Sequence, residues 1–389
     1  MIREKYLAFG VPDFTNAEIE AVSRVMRSGW VGMGAETIAF ERELAEYVGA
    51  PEVVTVNSCT SALFLAAMAE NIGPGDEVIV PSLTWCATAN AALYLGATPV
   101  FCDVDPETLC VTPESVCACL TDRTRAVVVV HYGGYAIDIS SLRTALPKHV
   151  AIIEDAAHAL GAKYAGGKPV GASGNSVCFS FYANKNLSTG DGGAIALFDA
   201  KKAERLRSLR MSGMSSNAWT RYIHPASALT AEIAELGYKA NFTDLQAAIG
   251  RIQLHRLAEM AAVRCQIARR YRIGLAAKGL VIPFQSGAFS EDHARHLLVG
   301  LFDAAATRIT RDDLLVALRG RNIGASIHYK PLHKMKFYAG YAPLQLPVTD
   351  AISDRIMTLP IGPRMALEDV DYVVDSIAEI VRKEQGTAR

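Results

Sequence analysis

The chain reads as an α/β protein: a large domain on a mostly parallel sheet over residues 1–250, then a connecting helix and a smaller α+β domain over 251–389. Three observations predict this. Short Val- and Ile-rich runs alternate with helical patterns from Val53 to Glu154, separated only by brief Gly, Pro and Asp punctuation, as strand–helix–strand units require. Val127-Val128-Val129-Val130 is apolar at every position, which suits a strand covered on both faces. The helical pattern from Thr243 to Lys278 is long enough to link two domains.

Composition sets outer limits. With 389 residues and 50% apolar content the chain can bury a large core, and a formal charge of -1 supplies no long-range field for nucleic acid or an anionic membrane. Met1 to Gly10 carries Arg3, Glu4 and Lys5 and lacks an apolar run, so no secretory signal is expected there. No stretch reaches the roughly 18 apolar residues of a membrane span. The closest cysteines, Cys117 and Cys119, do not form a CxxC, so the eight thiols are expected to be reduced in a cytoplasmic protein.

Taken in order, Ala17–Ser28 and Glu36–Val48 read as helices around the glycine-broken turn Gly29 to Gly34, where Trp30 either packs or faces a pocket. Val53–Val56 enters Asn57-Ser58-Cys59-Thr60 and a helix from Ser61 to Glu70, and Glu77–Val80 is the next strand. The rhythm continues to Ala151–Glu154. Strands at Val177–Phe181 and Ala194–Leu197 follow, then a helix at Glu204–Met211 and a long polar and aromatic loop from Ser212 to Thr230. Strands near Arg295–Phe302 and Ala325–His328 and a helix over Leu367–Arg382 complete the smaller domain.

Chemistry gathers at strand ends. Asn57 to Thr60 opens a helix, where free N–H groups and hydroxyls either cap the helix or receive an anion. Trp85, ending Pro81-Ser82-Leu83-Thr84-Trp85, is a core residue or a plate for an aromatic ring. Asp155 in Glu154-Asp155-Ala156-Ala157-His158 caps a turn or pairs with a protonated ring nitrogen. Lys185, in a turn between two strands, is a surface lysine or a Schiff-base amine. Together the four match the needs of pyridoxal phosphate, because parallel sheets collect ligands outside their carboxyl ends. A nicotinamide site lacks its GxGxxG turn, and His328, Tyr329 and His333 do not have metal-ligand spacing, so no metal is expected.

These motifs, with His131-Tyr132-Gly133-Gly134, Phe179-Ser180-Phe181 and Gly237-Tyr238-Lys239-Ala240-Asn241-Phe242, resemble the DegT/DnrJ/EryC1/StrS family of sugar aminotransferases. The resemblance runs from Ser28 to Pro360. It implies a fold-type I transferase with a seven-stranded sheet, and a cofactor alternating between pyridoxal phosphate and pyridoxamine phosphate. Cys59, Thr60 and Ser180 would hold the phosphate, Trp85 would cover the ring, Asp155 would face its nitrogen and His158 its 3-hydroxyl side. Lys185 would form the Schiff base and act as acid and base. Asn241 would reach the phosphate of a neighbouring subunit, giving a homodimer with shared sites.

Within the family the pattern is most similar to enzymes that move an amino group from L-glutamate, releasing 2-oxoglutarate, to C4 of a UDP-linked keto sugar. The resemblance implies substrate-binding roles for Met33, Tyr182, Arg221, His328, Tyr329, Lys330 and His333. Amination at C3, a dTDP- or GDP-linked sugar, or a cyclitol ketone stand as alternatives, as does a non-catalytic regulatory relative. Dehydratase relatives replace the lysine with histidine, so Lys185 points to transfer.

Overall fold

The computed structural model describes residues 2–215, 218–223, 226, 232–341 and 345–386, apart from the side chains at 218, 220 and 221. Seven strands form one sheet: β1 (Glu52–Val56), β2 (Glu77–Pro81), β3 (Thr98–Cys102), β4 (Thr124–Val130), β5 (Ala151–Asp155), β6 (Ser176–Ser180) and β7 (Gly193–Leu197). Their order is β1-β7-β6-β5-β4-β2-β3. Pairing is parallel from β6 through to β3, and β7 alone runs against its neighbours β1 and β6. The cause is local: no helix separates β6 from β7, so the chain turns straight back. β1 and β2, consecutive in the chain on either side of one helix, stand near opposite ends of the sheet.

The four valines of β4 are all buried, and each strand from β4 to β7 is buried almost throughout, because helices cover both faces. Helix Cys59–Ala69 shows why composition, not periodicity, places it. Its apolar residues go nearly all round, and seven of its residues are buried between the sheet and its neighbours.

Helix Asp244–Ala277 extends the full predicted length. Ala247, Leu254, Leu257 and Met260 in its first half join the core with Phe40, Phe181 and Phe242. Ile267, Tyr271 and Leu275 in its second half pack with Val370, Val374 and Ile377 of helix Leu367–Gly386. That second core also holds an antiparallel pair, β8 (Leu298–Leu301) and β9 (Ile356–Leu359). The strand expected at Ala325–His328 is absent: only Ser326 bridges to Thr358, and the chain then leaves the sheet edge to place Tyr329 in a cavity. The long loop expected over Ser212 to Thr230 contains a helix, Ala218–Ile223. Trp30 packs on Trp219 and Tyr222 and donates to the Met33 carbonyl. No described helix is long and apolar enough to cross a membrane.

One carboxylate ties the two ends of the large domain. Helix Ala35–Val48 has Gly34 at its N-cap and therefore no side-chain cap of its own. Asp244 supplies it from across the chain, its Oδ1 accepting from Gly34 N at 2.7 Å, Thr37 N at 2.9 Å and Thr37 Oγ1 at 2.7 Å. Asp244 is 3% exposed, so its loss strands buried donors with no water to replace it. Asp244→Ala is expected to lower unfolding stability by about 2–4 kcal/mol in urea titrations, whereas Asp244→Asn, which keeps an acceptor oxygen, should cost about half that.

Candidate active site

The carboxyl ends of β1, β2, β5 and β6 open into a cavity of about 490 Å³. At one side β1 feeds helix Cys59–Ala69, with Ser58 as its N-cap: Ser58 Oγ accepts from Ser61 N at 3.1 Å. The amides of Cys59 and Thr60 precede the helix's own bonding and leave a pole with partial positive charge. The Cys59 thiol turns toward the Cys178 carbonyl, and burial pushes its pKa well up, so that residue offers its backbone rather than a thiolate. Ser180, at the end of β6, faces the same pole.

This approach depends on Gly193. A Cβ there would meet the Ser58 carbonyl carbon at 2.6 Å, Cys59 N at 2.7 Å and Phe179 O at 2.8 Å, all backbone atoms that cannot swing aside. β7 can therefore press against the helix start only without a side chain. Gly193→Ala is expected to displace that start and weaken binding of an anion-bearing cofactor at least tenfold in an absorbance titration.

Asp155 ends β5, 4% exposed. Its Oδ2 accepts from Thr88 Oγ1 at 2.8 Å and its Oδ1 from Ala157 N at 3.1 Å. Burial raises its pKa, against the lowering pull of those two bonds and of Lys185. Among the described residues no cation stands within ion-pair distance, so the carboxylate suits a cationic ring nitrogen. Alternation along β5 turns Glu154 to the other face, where it accepts from His131 at 2.9 Å and Tyr164 at 2.6 Å. Burial alone would raise Glu154, but bonds from His131 and Tyr164 outweigh it and hold it low.

His158 is buried, and burial together with the charge of Lys185 pushes its pKa well down. Its Nδ1 accepts from Gly133 N at 3.3 Å, which leaves the proton on Nε2, 3.1 Å from the Tyr329 hydroxyl. Trp85 is 58% exposed at the cavity rim, with its ring 5.7 Å from that of Tyr329, so it is no core residue.

Lys185 lies in the turn between β6 and β7, and the next residue anchors it: Asn186 Nδ2 donates to the Ala294 carbonyl at 2.8 Å. The amine itself is buried. Loss of solvation lowers its pKa to about 8, with Cys59 and Asp155 opposing the shift. Tyr182, 52% exposed, and His328 complete the lining with Tyr329. His328 is held by Thr358 Oγ1 at 3.0 Å and by the Phe9 ring, and burial lowers its pKa to about 4.

Several expected residues lie elsewhere. His333 bonds Ser82 Oγ at 2.6 Å and Asp350 at 3.1 Å, so it fastens a loop behind Trp85 instead of facing the cavity. Lys330 is exposed outside the lining, and Met33 is buried under Trp30. Asn241 forms a bridge with Val56 and does not line the cavity of its own chain. The Arg221 side chain lies outside the described residues. Two groups were missed. Thr88, one helical turn beyond Trp85, could have been found from that spacing. His296, whose Nε2 is 3.5 Å from Lys185 Nζ, had no local signal.

The fold is that of a pyridoxal-phosphate-dependent aminotransferase of fold type I, and the cavity gathers helix-start amides, a carboxylate and an amine that could hold such a cofactor. The chain belongs to the DegT/DnrJ/EryC1/StrS aminotransferase family, whose profile matches residues 12–378. It is 40% identical over 386 residues, 98% of each chain, to the spore coat polysaccharide biosynthesis protein SpsC of Bacillus subtilis. The PMP-form of the putative sugar aminotransferase Spr1654 from Streptococcus pneumoniae superposes with a TM-score of 0.89 at 29% identity, over 97% of this chain and 99% of that one. DesI, determined in the presence of its TDP-sugar product, gives 0.88 at 28% identity, over 100% and 96%. The reaction is amino-group transfer with a nucleotide sugar.

The lowered amine has a measurable consequence. Between about 8 and the ordinary 10.5 the unfolded chain holds the extra proton, so stability rises with pH across that window and the full cost is borne below it. Cofactor-free Lys185→Met is therefore expected to be more stable than the parent at pH 7, on the order of 3 kcal/mol, with the gain shrinking toward pH 10.5.

Proposed function

We propose that this protein moves an amino group from L-glutamate to the keto carbon of a nucleotide-linked keto-deoxy sugar, in a homodimer whose sites are shared. The observation carrying the reading is the buried Lys185 amine, lowered to about 8, opening into the same cavity as Asp155 and the start of helix Cys59–Ala69. Bound pyridoxal phosphate supplies an aldehyde for amine exchange and a ring that accepts the electron pair released at the reacting carbon.

The chain's residues divide the remaining work. The amides of Cys59 and Thr60 and the hydroxyls of Thr60 and Ser180 hold the phosphate, and Trp85 covers one ring face. Asp155, braced by Thr88, keeps the ring nitrogen protonated, and His158, with its proton on Nε2, holds the Tyr329 hydroxyl beside the site. Lys185 Nζ takes a proton from the donor's α-carbon and returns one to the sugar carbon; an amine near 8 is matched to both duties. Tyr182, His328 and Tyr329 meet the sugar.

The sequence pattern favours UDP and C4. The TDP-sugar product of DesI, which is similar over the whole chain, supports a thymidine-linked substrate for this protein instead. A panel of dTDP-, UDP- and GDP-linked 3-keto and 4-keto sugars, with the product's amino position read by NMR, should give turnover with a dTDP sugar at least tenfold above the others. Turnover confined to a UDP or GDP sugar would overturn that choice of base.

Asn241, absent from its own cavity, is assigned to the partner subunit's phosphate. Lys185→Ala and Asn241→Ala proteins should each lose at least 90% of activity alone. Mixing them should restore up to about a quarter, through dimers holding one intact site. No recovery after verified subunit exchange would overturn the assignment of Asn241 to the partner subunit's site.

A further inference from the structure

His296 is buried at 3% exposure and takes no part in the scheme above, yet its Nε2 is 3.5 Å from Lys185 Nζ. Among the described residues its Nδ1 has no hydrogen-bond partner. The ring lies against that of His158, tilted by 36° with the centroids 4.6 Å apart.

The fold goes to some length to put it there. Gly133 and Gly134 both have positive φ, 67° and 111°, in the turn after β4. A Cβ on Gly134 would come within 2.9 Å of Arg295 N, so only glycine lets the segment before β8 lie against that turn. Two backbone bonds then fix the segment on either side of His296: Ala294 N to the Gly134 carbonyl and Leu297 N to the Gly133 carbonyl, both 3.0 Å. The Ala294 carbonyl also receives Asn186, the residue after the lysine. One short segment thus positions both the lysine turn and the imidazole facing its amine.

From this geometry we infer that His296 is a positioning residue that docks the amine of Lys185 whenever that amine is not bonded to the cofactor. This rests on the proposed role of Lys185. An ammonium can only donate, so toward Lys185 the neutral imidazole must accept at Nε2 and carry its proton on Nδ1. Acceptance stabilises the charged form and keeps Nζ from drifting to Asp155. The other groups acting on Lys185 and His296 are Cys59, Asp155, His158, His328 and Arg264. Of these, the cations and histidines disfavour a charged His296, as does its burial, which holds its pKa well below the ordinary value and leaves it an acceptor at neutral pH.

The test uses the full-length protein, first freed of cofactor and then reloaded. The pH profile of Lys185 acylation by acetic anhydride, read by peptide mass spectrometry, should have its midpoint near the lowered value of that amine, about 8, in the parent. Replacing the acceptor by His296→Phe should move the midpoint down by about one pH unit, while His296→Gln, which restores an acceptor oxygen, should recover most of the shift. Circular dichroism checks folding, and a structural role alone would not separate Phe from Gln. If neither variant folds, ¹⁵N NMR of the parent decides: the His296 ring nitrogens should shift as Lys185 titrates, with the ring still neutral. An unchanged midpoint in folded His296→Phe, or ring nitrogens indifferent to that titration, overturns the docking role. A cofactor band retained in the reloaded variant shows that the proposed function stands even so; a parent that binds no cofactor would remove the function instead.

Discussion

The close approach of β7 to the start of helix Cys59–Ala69 is the constraint on which the site depends. It is possible only because Gly193 has no side chain to strike the Ser58 and Cys59 backbone. Because β7 returns antiparallel between β1 and β6, the turn that precedes it stays at the carboxyl edge of the sheet and carries Lys185 there. The helix start, Ser180 and the lysine are thereby brought to one wall of the cavity. A parallel crossover at this point would have sent the chain to the opposite edge.

Burial then sets the chemistry. Asp155, Lys185, His158 and His296 share a poorly solvated space, and each is shifted toward its neutral form. For the histidines this means neutral rings whose donor and acceptor nitrogens are decided by their partners. For Lys185 it means an amine available near neutral pH, and for Asp155 a carboxyl raised by burial, an effect that a cationic partner would oppose. The same low solvation makes each hydrogen bond in the cavity count for more than it would at the surface.

Support comes from behind the cavity. Thr88 braces Asp155, Asn186 ties the lysine turn to the Ala294 carbonyl, and His333 ties the loop near Trp85 to Ser82 and Asp350. The long helix Asp244–Ala277 serves both cores, and Asp244 at its first turn also caps helix Ala35–Val48. Pieces distant in the chain are thus held by side-chain contacts of a few residues.

The cavity-lining residues named from the sequence were legible because each sits where a strand runs out: Thr60 after β1, Trp85 after β2, Asp155 at the end of β5, and Ser180 and Lys185 around the end of β6. Local pattern alone marks a strand end, so it marks those residues too. The length of helix Asp244–Ala277 was legible for the same reason. Strand order was not, since periodicity carries no record of which strands pair, and so the reversal of β7 and the separation of β1 from β2 emerged only in the fold. His333 and Lys330 share a motif with His328 and Tyr329, yet the turn after Tyr329 directs them away. His296 lies far from Lys185 in sequence and meets it only because two glycines let the segment before β8 close on the turn after β4; contact across such a distance is a property of packing, not of pattern.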